Sequence, residues 1–108
     1  MAAIKQFEIY WTNLDPTLGS EIQKTRPCIV VSPTIMNDAL RTIIVVPLTG
    51  TIISWPFRTK VKVKGKIVSA ACDQLRSISK ERLGDKVSTL STVEQKIVSE
   101  ILISIFGE

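Results

Sequence analysis

Histidine is missing from all 108 residues of this chain. The side chain best suited to proton transfer near neutral pH is therefore unavailable, which excludes histidine-based triads and histidine-ligated zinc. Cysteine is scarce. Cys28 and Cys72 stand far apart and match neither metal-site nor Cys-x-x-Cys spacing. They read as small apolar side chains on buried strands, with a disulfide or a reactive thiol as the alternative. No apolar run approaches the roughly 20 residues of a membrane-spanning helix. The opening stretch M-A-A-I-K-Q-F-E lacks the apolar centre of a signal peptide. The expectation is a soluble, cytoplasmic protein with no membrane partner. Linkers, repeats and low-complexity segments are also lacking, so one domain over 1–108 is expected, long enough to bury a core without staples.

What is present is a series of short β-type segments. Residues 8–14 are rich in β-formers, and Asp15-Pro16 breaks them. A polar loop then reaches Thr25. Apolar runs follow at 28–32 and 42–48, separated by weak helical character over 34–40. Pro47 suggests that the second run ends or meets a sheet edge there. Residues 57–64 alternate, and a turn at Lys64-Gly65 joins them to 66–72 as a hairpin. Further strands are expected at about 73–79 and 86–90, with a turn at Leu83-Gly84-Asp85. Ser91-Thr92-Val93-Glu94 fits a helical capping box. Val93, Ile97, Ile101, Leu102 and Ile105 then recur at helical spacing up to Gly107. The fold class expected is mainly β (α+β), a small antiparallel barrel covered by a C-terminal α-helix.

Two features suggest a site. The stretch G-S-E-I-Q-K-T-R-P-C-I-V-V-S-P, residues 19–33, sets Arg26 at the mouth of a buried strand, with Glu21 on the loop leading in. Pro27 suits a strand's first residue and holds Arg26 extended. The second feature is R-T-K-V-K-V-K. On a strand, its period of two places Arg58, Lys60, Lys62 and Lys64 on one face. That face can track a nucleic-acid backbone. Lysines guarding an edge strand against aggregation explain it equally well. Trp55 and Phe57, just before it, stack on bases if exposed and fill core if buried. The overall charge, 14 basic residues against 10 acidic, permits a nucleic-acid partner without establishing one.

Three ordered segments carry a resemblance: G-S-E-x(4)-R-P-C-I-V-V-S-P, V-P-L-T-G, and A-A-C-D-Q-L-R-S-I-S-K-E-R-L. With L-D-P-T-x-G-S-E at 14–21 and W-P-F at 55–57, they resemble the MazF/PemK/Kid family of toxins from bacterial toxin–antitoxin pairs, nearly end to end. The resemblance implies an SH3-like barrel, a homodimer, and a cognate antitoxin whose acidic, disordered segment masks the positive groove. It also implies binding of DNA as the toxin–antitoxin complex. The implied activity is a sequence-specific, metal-independent endoribonuclease without cofactor. It would cut single-stranded mRNA to 2′,3′-cyclic phosphate and 5′-OH ends, halting translation and growth.

The resemblance assigns Arg26 and Thr49 to catalysis. A guanidinium is a good fork for phosphate, and stabilising developing charge is often the largest catalytic contribution. The Thr49 hydroxyl can hold a phosphate oxygen or the 2′-OH. Glu21 is the candidate base, or a holder of Arg26. A plain ion pair with Arg26 or Lys24 is the other reading. Ser20, Lys24, Thr51, Trp55, Phe57, Arg58, Lys60, Asp73, Gln74 and Arg76 are the candidate RNA contacts. For Asp73, Gln74 and Arg76, local hydrogen bonds and ion pairs are the competing reading. Kid-type members carry a loop histidine and an arginine before Cys-Asp, where this chain has Ser20 and Ala71. The MazF-type pair, Arg26 with Thr49, is intact. Rival readings are a CcdB-like toxin that poisons gyrase and a non-catalytic RNA-binding barrel.

Overall fold

Seven antiparallel strands and one long helix account for most of the computed structural model, which describes residues 3–107; Met1, Ala2 and Glu108 lie outside it. The strands are β1 (Glu8–Asn13), β2 (Thr25–Val30), β3 (Thr42–Thr49), β4 (Arg58–Val63), β5 (Lys66–Ala71), β6 (Arg76–Ser79) and β7 (Leu83–Thr89). A short helix α1 (Thr34–Ala39) precedes β3, and helix α2 (Thr92–Phe106) ends the chain. The strand order is β4-β5-β3-β2-β1-β7, with β6 also paired to β3. The sheet curls into a half-barrel, as its mostly β sequence predicts.

Strand β3 is the hub. It pairs with β2 through Val45–Pro47, with β6 through Thr42–Val45 and with β5 through Leu48 and Thr49. Pro47 therefore neither ends the strand nor marks an edge. It stands at the last β2 pairing, immediately before β3 passes to β5. Pro27 likewise lies inside β2 rather than at its start. It pairs with Trp11 of β1, while the β2–β3 register begins one residue later at Cys28. A residue without an N–H is tolerated there because no residue of β3 pairs with it.

The apolar runs of β2 and β3 are continuous because both faces are buried. Ile29, Val46 and Leu48 join a cluster with Ile9, Val61, Leu90 and Val98. Cys28, Val30, Ile43 and Val45 join another with Leu14 and Ile78. Helix α2 covers the first cluster. Its capping box forms as expected, Ser91 Oγ accepting from Glu94 N and the Glu94 carboxylate accepting from Ser91 N. Its inward face differs from the expectation. Val98 is fully buried, with Ile101 and Leu102 half-buried, whereas Val93 and Ile97 are exposed. Apolar residues occur on several sides of this helix, so contact with β4, not spacing alone, selects the buried side.

Two further boundaries move. Cys72–Gln74 form a 3-10 turn before β6, shortening the strand expected at 73–79. The turn expected at Leu83-Gly84-Asp85 is instead the start of β7. There, β1 advances two residues from Tyr10 to Thr12 while β7 spans Lys86 to Leu83, so the register carries a bulge. Bulges accept glycine readily. Gly84 lies against Trp11, whose backbone oxygen would stand 3.4 Å from an added Cβ.

Candidate active site and nucleic-acid surface

Arg26 enters from β2 and Thr49 from the end of β3, and the two line one cavity of about 530 Å³. The Arg26 Nε donates to the Gln23 carbonyl at 2.9 Å. That fixes the guanidinium by its inner nitrogen and leaves both outer nitrogens for a ligand. Thr49 Oγ1 accepts from Thr51 N at 3.2 Å. One of its two lone pairs is thus engaged, and its O–H remains to donate. Lys24, Lys64 and Lys66 complete four cations around this cavity, whose lining includes no carboxylate. Such a set binds anions, phosphate above all.

Glu21 lies elsewhere. Its carboxylate accepts from Leu18 N at 2.7 Å, closing the loop on itself. With Ser20 it lines a neighbouring cavity of about 390 Å³, together with Asp73, Gln74 and Arg76. The ion pair considered between Glu21 and Arg26 or Lys24 does not occur among the described residues. Gln74 and Arg76 hold this loop: Ile22 N donates to Gln74 Oε1 at 2.7 Å, and Arg76 Nη1 donates to the Leu14 carbonyl at 3.1 Å. Arg82 donates to the carbonyls of Asn13 and Asp15. With Gln74 Oε1 fixed by an N–H, its amide nitrogen is the group left to meet a ligand.

The basic run divides. Arg58 is not a free cation; its side chain is 8% exposed and forms a two-pronged pair with Asp73, at 2.9 and 3.1 Å. It also stacks 4.8 Å from the centre of the Trp55 ring, which meets Phe57 at 5.3 Å. Trp55, Phe57, Arg58 and Asp73 thus form one connected unit, with Trp55 still 43% exposed. Lys60 and Lys62 project from β4 into solvent, Lys60 beside Trp55 in a third cavity. Lys64 does not share their face. It falls in the turn beyond β4 and turns to the Arg26 cavity. The alternation runs on to Lys64 but the strand ends at Val63, so Lys64 leaves the face expected for it; Lys66, on the returning strand, was not singled out in the sequence.

Neither cysteine is a nucleophile. Burial pushes both thiols up, each to about 11, and both are free and buried. Among the described residues no three His, Cys, Asp or Glu side chains gather as a metal-binding group, and no helix is long and apolar enough to cross a membrane.

The fold and its cavity define a small curled β-sheet protein with a cation-lined cavity between the start of β2 and the end of β3. The chain belongs to the family of PemK-like, MazF-like toxins of type II toxin–antitoxin systems, whose model matches residues 5–106. It is 35% identical to Endoribonuclease PemK of Escherichia coli over 100 residues, 88% of this chain and 74% of that protein. It is 31% identical to Endoribonuclease EndoA of Bacillus subtilis over 105 residues, 92% and 90% of the two chains. The fold matches MazF of Deinococcus radiodurans with a TM-score of 0.88 at 22% identity, each chain wholly covered. It also matches a mycobacterial endoribonuclease solved with its cognate antitoxin, TM-score 0.83 at 18% identity, covering 97% and 96%.

Proposed function

We propose that this chain, as a single toxin domain, is an endoribonuclease that cuts single-stranded RNA at chosen sequences without metal or cofactor. The observation that carries this reading is the convergence of Arg26 and Thr49 in one cationic cavity without a carboxylate. The RNA's own 2′-OH attacks phosphorus, and the outer nitrogens of Arg26 and the O–H of Thr49 neutralise the crowded phosphoryl oxygens. With no base in the cavity, the 2′-OH proton passes to a phosphoryl oxygen and from there to the departing 5′-oxygen. The products are a 2′,3′-cyclic phosphate and a 5′-OH. Glu21 organises its loop through Leu18 in this scheme. Ser20 and Gln74 belong to the recognition cavity, where the Gln74 amide nitrogen suits a base edge that offers an acceptor. Trp55, supported by Phe57 and Arg58, offers a stacking platform beside Lys60.

The partners follow. An antitoxin supplying an acidic segment would mask the four-cation cavity, and the resulting complex would bind DNA. A homodimer is supported by apolar side chains that α2 leaves uncovered, including Val93, Ile103 and Phe106. The site of action is the cytoplasm, on mRNA, with arrest of translation and growth as the result.

The test is incubation with a long single-stranded transcript in EDTA, with the product ends mapped. Cleavage at recurring sequences to 5′-OH ends is expected. Arg26→Ala should lower the rate at least about 100-fold, the loss seen when one charge-stabilising donor is removed. Glu21→Gln should leave the pH–rate profile unchanged. Intact RNA with inhibited gyrase would overturn the reading in favour of a gyrase poison.

A further inference from the structure

Left-handed backbone occurs at three residues other than glycine among those described: Phe7 (φ 70°), Lys24 (φ 71°) and Lys64 (φ 52°). Side chains other than those of glycine and asparagine avoid this region because Cβ crowds the carbonyl that follows. Phe7 packs against the core, which accounts for its side chain. The two lysines are exposed, so no packing accounts for theirs. Lys64 and Gly65 (φ 80°) are the two turn residues between the Val63–Lys66 pair that closes the β4–β5 hairpin. Such a turn favours asparagine at the first position, not lysine. Lys24 is held in its conformation from two sides, its N–H donating to Asp15 Oδ1 at 3.0 Å and its carbonyl accepting from Leu14 N at 3.0 Å.

The two strained lysines come from separate loops, yet both line the cavity of Arg26 and Thr49. Strain of this sort persists where the surrounding structure enforces it, and it gathers at functional sites. Charge points the same way. A phosphodiester carries a single negative charge, which Arg26 alone balances, so further cations match further phosphates. A volume of about 530 Å³ admits more than one such group. We propose that Lys24 and Lys64 form a second phosphate subsite, gripping backbone phosphates that flank the one being cleaved. This assignment rests on the nuclease reading for the identity of the substrate.

The test uses Lys24→Asn and Lys64→Asn, each replacing lysine by a residue the local backbone prefers. The probe is a mixed-sequence, fully 2′-O-methylated single-stranded RNA, which lacks the attacking hydroxyl and survives the measurement. Binding is followed over roughly a tenfold range of salt. Each variant should keep or raise the thermal midpoint while the slope of log K against log salt falls by about 0.7. Near 0.1 M salt that corresponds to about fivefold weaker binding per lysine. Lys24→Arg and Lys64→Arg should retain the slope. A raised midpoint with wild-type affinity and slope would overturn the subsite and leave the lysines as tolerated turn residues. If the wild type instead leaves unmodified RNA intact yet shows the lysine-dependent slope, the nuclease reading falls and the phosphate subsite stands.

Discussion

Glu8 shows how a single buried charge is made tolerable. It is 6% exposed, at the start of β1. Its Oε1 accepts from Lys5 N at 2.7 Å and from the Tyr10 hydroxyl at 2.9 Å, and its Oε2 meets Lys86 Nζ at 2.7 Å. Burial pushes the carboxyl up, but the bonds from Lys86, Lys5 and Tyr10 together hold it below its usual 4.5. Tyr10 answers in the opposite direction, pushed up to about 12 by burial and by its bond to Glu8. Because the folded state holds Glu8 ionised, its contribution is complete above pH 4.5 and fades as the pH falls through the lower folded value. Glu8→Gln should therefore cost about 1–2 kcal/mol at neutral pH, discounted for the half-exposed Lys86. The difference from wild type should shrink below about pH 4.5, as read by urea unfolding at a series of pH values. A constant difference across that window would remove the ion pair as the cause. This cluster was illegible in the sequence, since Lys86 lies 78 positions from Glu8 and only the β1–β7 pairing brings them together. Arg26 drew notice because Pro27 sets it at the mouth of a strand, whereas Thr49 entered only through the family resemblance; the structure brings the two to one cavity. The placement of Glu21 was not legible, because closeness within a loop does not say which cavity a side chain enters.

Helix α2 begins with a device that reaches past the helix itself. Glu94 Oε1 completes the capping box, and its Oε2 accepts from Lys62 N of β4 at 2.7 Å. Strand β4 lies at the sheet's edge, paired only with β5, so this bond also blunts an open edge. Ser91→Ala removes only the cap and should cost about 1 kcal/mol. Glu94→Ala keeps the bond from its own N–H to Ser91 Oγ but removes the reciprocal half of the box and the strand anchor together, and should cost about 2 kcal/mol. Urea midpoints give the ranking. Hydrogen exchange at the Lys62 amide supplies the discriminating signal, rising for Glu94→Ala and not for Ser91→Ala. The cap was legible because its chemistry is confined to four consecutive residues. The strand anchor was not, because nothing local in the sequence sets Glu94 beside Lys62. The same division explains β7: glycine followed by aspartate signals a turn locally, but the bulge opposite Trp11 absorbs it into a strand.

In the molecule as a whole, the curled sheet and terminal helix were legible from alternation, apolar runs and the capping box. The strand order was not, because β3 serves three partners and only its proline hinted at the change. Uncovered apolar residues on α2 set an expectation for assembly. The protein should sediment at twice its 12.0 kDa chain mass. Ile103→Glu, at a position 69% exposed, should return a folded 12.0 kDa species. A wild type that sediments as a single chain at micromolar concentration would count against the pairing.

The Arg26 cavity also draws its walls from almost the whole chain: Trp11 of β1, Arg26 of β2, Thr49 of β3, Val63 of β4, Val68 of β5 and Val87 of β7. A nascent chain carries Arg26 and Thr49 early, but it cannot enclose the space between them until β7 has left the ribosome. A chain cut short before Leu83 would lack the Val87 wall of this cavity.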